Sequence, residues 1–229
     1  MAATTFTVQK QTGASELETT VEQLIIAGWA GRDAGAVEEH IRELEEIGVK
    51  RPAHTPTFYR LAPMLLSNAP VMTVTGQEAT GEVEAVLIRA GGAFYVGIGS
   101  DHTDRKLETL SVTLSKQICA KPVSRDLWPL EEIEDHWDEL VLSSTIEVDG
   151  KTVSYQEGPL SSLLSPRDLL DRLAQQEIDF ADGSAMLCGT VPIKGEIRFA
   201  HRMQVRLEDP VLGRALVHEI TLAPLPLAD

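Results

Sequence analysis

Thr80-Gly81-Glu82-Val83-Glu84-Ala85-Val86-Leu87-Ile88, then Phe94-Tyr95-Val96-Gly97-Ile98-Gly99-Ser100-Asp101-His102-Thr103-Asp104-Arg105, is the stretch on which the reading of this chain turns. Residues 83–88 form a β-branched run, Arg89-Ala90-Gly91-Gly92 reads as a turn, and residues 94–98 resume an apolar strand. Residues i and i+2 of a strand share a face, so Glu82 and Glu84 project together while Val83 points the other way. Two like charges on one face need water, Lys/Arg partners or a divalent cation, and Mg²⁺, Mn²⁺ and Ca²⁺ are the ions that oxygen ligands suit. Taken alone, the pair has a commoner reading as a solvated strand face. The second strand runs through two glycines into an acid, an imidazole, a hydroxyl, an acid and a guanidinium. Functional groups gather where a strand ends. The alternative is an Asx-type turn capped by Asp101, with Asp104 and Arg105 as local charges. The short hairpin returns this loop toward the two glutamates.

Outward from this hairpin, most segments read as strands: 71–74 after a proline, 140–142, 144–148, 152–153, 203–207 and 218–222. Leu24-Ile25-Ile26-Ala27 has the length of a buried strand. Asp149-Gly150 is a two-residue hairpin signal, since both positions want positive φ. Two helices are signposted. Val37, Ile41, Leu44 and Ile47 recur at helical spacing, with Asp33 as N-cap and Gly48 as the closing residue. Ser165-Pro166-Arg167-Asp168 supplies a cap, a proline at the first position and an acid three residues on, ahead of Leu169, Leu170 and Leu173. The pattern predicts a β-rich α+β chain, with a small, more helical N-terminal part over 1–55 packed on a main domain over 56–229.

The 229 residues carry 20 Lys+Arg against 35 Asp+Glu, a formal net charge of −15. This balance argues against nucleic acid and anionic membranes as partners, because both need clustered cations. Cys119 and Cys188 are too few for a disulfide framework and lack metal-site spacing, and both read as small core residues. The start shows no basic region followed by an apolar one, and no apolar run approaches a membrane span. The expectation is a soluble, cytoplasmic protein.

The order of these segments resembles the fumarylacetoacetate hydrolase superfamily, and within it an uncharacterised bacterial branch. The resemblance runs from about Phe58 to the C-terminus. It is carried by Glu82 and Glu84, the loop with Asp101 and Arg105, Lys121, Trp128-Pro129-Leu130, Asp149-Gly150, Gln156, Leu163-Leu164, Gly183 and Gly189-Thr190-Val191-Pro192. It implies a mixed β-sheet roll in which Glu82, Glu84 and Asp101 bind Mg²⁺ or Mn²⁺, with Ca²⁺ as a further option. It also implies Lys121 as the active-site lysine, Arg105 as the arginine closing the loop, and a homodimer. The activity implied is hydrolysis, decarboxylation or isomerisation of a small dicarbonyl or 2-oxo acid, with hydrolysis first by resemblance alone.

Departures from the family pattern are Ser100 for asparagine, His102 for an apolar residue, Asp104 for a small one, and a turn where the family has a helix between Glu84 and Asp101. His102 or Asp104 would then move protons or position water. Tyr59, Arg60, Arg105, Lys121 and Thr190 would hold a carboxylic acid substrate. His54 is a lone loop histidine and the 131–136 acidic run a solvated turn, with Trp137 packing inward. The rival reading is a non-catalytic small-molecule-binding protein on the same fold.

Overall fold

The computed structural model describes residues 3–46 and 51–228. The chain opens with strands β1 (Thr4–Lys10), β2 (Gly13–Thr19) and β3 (Gln23–Gly28), helix α1 (Ala34–Glu46) and strand β4 (Thr57–Leu61). The short strands β5 (Leu66–Ser67) and β7 (Ala79–Thr80) flank β6 (Val71–Thr75). The central hairpin is β8 (Val83–Ala90) and β9 (Ala93–Ser100), followed by β10 (Thr103–Asp104) and the short helices α2 (Arg105–Glu108) and α3 (Val112–Gln117). Then come β11 (Lys121–Pro122), β12 (Asp126–Pro129), β13 (Val141–Val148) and β14 (Lys151–Pro159). Helix α4 (Pro166–Gln175) and strands β15 (Ser184–Thr190), β16 (Arg202–Asp209) and β17 (Arg214–Leu225) complete the chain.

Two sheets make the body. The larger has the order β2-β1-β12-β9-β8-β15-β3-β4, and the smaller β14-β13-β16-β17-β6. Both are mixed: β1 pairs with β12, β15 with β3, and β17 with β6 in parallel. One apolar cluster lies between the sheets, joining Val83, Ala85 and Leu87 of β8 to Leu142, Ile146, Val205, Leu207 and Ile220. A second covers the other face of the larger sheet, where Val86 and Ile88 meet Phe6, Leu24, Ile26 and Leu127. Strand β8 is thus buried on both faces, with alternate residues serving alternate clusters. By that alternation Glu84 occupies an otherwise apolar position on the second face.

The local signals act as their chemistry requires. Ser165 and Asp168 form a reciprocal capping box on α4, and Leu169 and Leu173 are fully buried. Asp33 caps α1 by accepting from the amides of Gly35 and Ala36. Ile47 and Gly48 lie outside the described residues, as does the side chain of Leu44. Asp149 and Gly150 both take positive φ between β13 and β14. Of the strands in the expected N-terminal part, β3 sits between β15 and β4, and β1 pairs with β12, so they hydrogen-bond to strands of the expected main domain. Among the described residues, no helix is long and apolar enough to cross a membrane.

Candidate functional site

The β8–β9 ladder builds the site. Glu84 lies opposite Gly99 and Val83 opposite Ser100, and beyond the ladder the Asp101 amide donates to the Glu82 carbonyl at 2.9 Å. The Ser100 hydroxyl accepts from the Glu82 amide at 3.0 Å. This register brings the start of one strand to the end of the next, and with it three carboxylates. Gly99 is required by space: a Cβ there would lie 2.5 Å from the Pro122 carbonyl oxygen. Gly189 is required twice over. It takes φ of +100° with Ala30 Cβ 2.8 Å from where its own would be, and its amide donates to Glu84 Oε2 at 2.7 Å.

Three cations answer the carboxylates. Arg105 pairs with Glu82 at 3.2 Å and with Glu108 at 2.9 Å, and its Nε donates to Thr80 Oγ1 at 2.6 Å. Lys116 of α3 places its ammonium directly on Asp101 Oδ2, with Thr103 Oγ1 at 3.4 Å. Lys121 is fully buried and donates to three backbone carbonyls: His102 and Lys116 at 2.6 Å and Cys119 at 2.9 Å. An ammonium has three hydrogens, so Lys121 has none left. That accounts for Asp101 Oδ1, which stands 3.3 Å from Lys121 Nζ yet accepts no hydrogen bond.

Burial sets the charges. It pushes the Glu84 carboxyl well above its usual range, helped by the Asp101 and Glu82 charges, while Lys116 and the Gly189 amide oppose. Burial acts on Asp101 in the same sense, but Lys116 and Lys121 outweigh it and hold that carboxyl below its ordinary value. The reciprocal holds for Lys116, where the carboxylates overcome burial and keep the ammonium charged. His102 is driven down to about 3 by burial and then by the Lys121 charge, so it is a neutral imidazole. Its Nδ1 is buried and has no hydrogen-bond partner.

The remaining expected residues divide. Thr190 pairs with Glu84 across β15 and β8, and its hydroxyl donates to the Val83 carbonyl at 2.9 Å. Tyr59 presents its ring 5.9 Å from Lys116 Nζ. Arg60, the next residue on β4, has the opposite parity and donates to Gln23 Oε1, away from the carboxylates. Asp104 is spent as the N-cap of α2, accepting from the Leu107 amide at 2.7 Å. His54 stays in its loop, where its carbonyl accepts from Thr57 Oγ1. The acidic 131–136 run is tied down: Glu132 pairs with Arg214 at 2.8 Å and His136 lies 3.1 Å from Asp209. Trp137 is buried, and so are Cys119 and Cys188, whose thiols burial pushes up to about 11 and about 12.

Two residues had no role assigned from the sequence. Lys116 is one. Gln156 is the other: fully buried, its Oε1 accepts from the Val83 amide at 2.9 Å, and its Nε2 donates to Thr190 Oγ1 at 2.8 Å and to the Val191 carbonyl at 2.7 Å. It clamps the strand between the two glutamates to the Thr190 loop.

The donor types fit a hard divalent cation: three carboxylates, with one buried Asp101 oxygen lacking a hydrogen bond. The position is contested, because an ammonium already rests on Asp101. Among the described residues no three His, Cys, Asp or Glu are drawn together as a ready ligand group. Glu82, Glu84 and Asp101 are the residues of the right chemistry to hold such an ion.

Comparison with known proteins bears on this arrangement. A Burkholderia cenocepacia protein provisionally named a fumarylpyruvate hydrolase superposes with a TM-score of 0.66 at 14% identity, over 99% of this chain and 98% of its own. A 2-keto-3-deoxyarabinonate dehydratase gives 0.66 at 14% identity, over 92% and 77%. The yeast protein ynq8, of the fumarylacetoacetate hydrolase family, gives 0.63 at 16%, over 91% and 97%. At these identities the likeness shows the fold, which is that of fumarylacetoacetate hydrolase-like proteins. A search of curated proteins gave no match. The sequence itself matches one family pattern across residues 27–220, spanning the hairpin, Lys116, Lys121, Gln156 and the Gly189-Thr190 loop, and the chain therefore belongs to the DUF2848 family, described as a protein of unknown function.

Proposed function

We propose that this chain is a divalent-metal-dependent enzyme that hydrolyses a C–C bond in a small dicarbonyl or 2-oxo acid. The observation that carries the reading is the register of β8 and β9, which sets Glu84 opposite Gly99 and ties Asp101 to Glu82. When bound, Mg²⁺ or Mn²⁺ supplies Lewis acidity toward the substrate's chelating oxygens and favours negative charge on the 2-oxo acid half. The chain's own groups supply the rest. Glu82, Glu84 and Asp101 are the proposed ligands, with Arg105 fixing Glu82 and the Gly189 amide fixing Glu84. His102 is proposed to position the attacking water through its free ring nitrogen: an imidazole driven down to about 3 is too weak a base to carry a proton near neutral pH, and the Asp104 carboxylate is committed to capping α2. Thr190 and Tyr59 border the site and are the proposed substrate contacts, and Lys121 serves as an internal strut. The neighbours named as a hydrolase and a dehydratase support enzymatic chemistry of this general type on the fold.

The test is turnover of a panel of 2,4-dioxo and 2-oxo acids with Mg²⁺ or Mn²⁺, following loss of enol absorbance and appearance of the shorter 2-oxo acid. Cleavage of at least one panel member, abolished in Glu84→Gln, is expected. Conversion without a new carboxylic acid fragment would replace hydrolysis with isomerisation or decarboxylation, and no conversion with either metal would overturn the proposal.

A further inference from the structure

On the basis of the proposed metal site, we infer that Lys116 is a built-in competitor for the carboxylate cluster: its ammonium and a divalent cation are alternative occupants, and the ion binds only as Lys116 leaves Asp101. Three elements converge on this side chain. Asp101 follows β9, Thr103 belongs to β10 at 3.4 Å, and the Tyr59 ring of β4 lies 5.9 Å from Nζ. Lys116 is 8% exposed and Asp101 1%, so the pair is withdrawn from water. The charges of Glu82 and Glu84 also favour the protonated ammonium.

The two lysines at Asp101 differ in how firmly they are held. Lys121 is locked by three carbonyls and cannot leave without stranding them. Lys116 has one strong partner, Asp101, and one long contact to a hydroxyl. It projects from α3, a six-residue helix whose Leu114 is 54% exposed, next to Ile118 at 50%, so this segment is packed on one side only. Withdrawal of one side chain from such a helix leaves both apolar clusters intact. A dication and an ammonium on the same buried carboxylate repel strongly, because the low dielectric screens them little. The ammonium therefore neutralises the buried carboxylates while no ion is bound, at the expense of divalent affinity.

The test measures Mn²⁺ affinity by loss of the free-ion electron paramagnetic signal, using wild type, Lys116→Met, Lys116→Gln and Lys116→Met/Glu84→Gln. Both single variants should bind at least ~10-fold more tightly than wild type, and the double variant should lose the gain. The thermal midpoint of the single variants should fall without metal and recover with Mn²⁺ by more than wild type rises. Lys116→Gln keeps a hydrogen-bonding group on Asp101, so it decides the matter if the methionine variant does not fold. Equal affinity in wild type and the single variants would overturn the competition while leaving the metal site standing. No Mn²⁺ uptake by any variant at millimolar concentration would overturn the metal site, and the competition with it.

Discussion

The Lys116 ammonium rests on the carboxylate of Asp101, 15 residues earlier in the chain, at the end of the hairpin that also carries Glu84. Around this pair the structure sorts residues that look interchangeable in sequence. One lysine rests on a side-chain carboxylate and the other is locked by backbone carbonyls, and one aspartate is a proposed ligand while its neighbour Asp104 is a helix cap.

Lys121→Met should be a folding defect before it is a catalytic one. It strands three carbonyls and removes one of two cations from buried Asp101, a loss of about 3–5 kcal/mol. Denaturant unfolding should show it as a lower midpoint with the slope unchanged. A variant as stable as wild type, defective only in turnover, would show that Lys121 works on substrate instead.

Gln156→Leu should uncouple the Val83 backbone from the Thr190 loop. It leaves the Val83 amide without a partner in the interior and the Val191 carbonyl with only the Thr190 hydroxyl at 3.5 Å, at about 1–3 kcal/mol. Gln156→Glu keeps the acceptor and loses the donor, so it should retain the Val83 bond. Mn²⁺ affinity should fall in the leucine variant even where folding is complete, because Glu82 and Glu84 flank the released residue. Unchanged affinity in folded protein would make Gln156 a purely structural clamp.

Asp209 gives a prediction in acid. Buried at the end of β16, it accepts from the Val211 and Leu212 amides of the turn, lies 3.1 Å from His136 Nε2, and pairs with Arg214 at 3.3 Å. Burial alone would raise this carboxyl, but the Leu212 amide and His136 outweigh it and hold the carboxyl below its ordinary range. A depressed carboxylate stabilises the fold fully above its unfolded value of ~3.9, and that contribution is lost as pH falls through the lower native value. Asp209→Asn should therefore lower stability by about 1–3 kcal/mol at pH 7, and the difference from wild type should shrink below about pH 4. A difference that stays constant with pH would remove the charge from the account.

The hairpin and its carboxylates are legible in sequence because they rest on local rules. Strand parity puts Glu82 and Glu84 together, and the glycine turn sends the next strand back to them, though the turn is only Gly91-Gly92 because Arg89 and Ala90 stay paired in the ladder. The caps at Asp33 and Ser165 and the Asp149-Gly150 turn are likewise written within a few residues. What was not legible is non-local. The parallel pairing of β1 with β12 and of β3 with β15 joins segments more than a hundred residues apart, so no local pattern shows that the strands of the N-terminal part enter the larger sheet. Arg60 went astray on parity: beside Tyr59 on a strand, only one of them can face Lys116. Lys116 and Gln156 are single polar residues with no motif around them, and only the folded neighbourhood gives them partners.

The most direct test of the central claim is a calorimetric titration of Mn²⁺ into chelator-stripped protein, wild type beside Glu84→Gln. The account predicts saturable one-site binding in wild type that is lost in the variant while its fold is kept. The same isotherm in both proteins would place the ion elsewhere and contradict the three-carboxylate site.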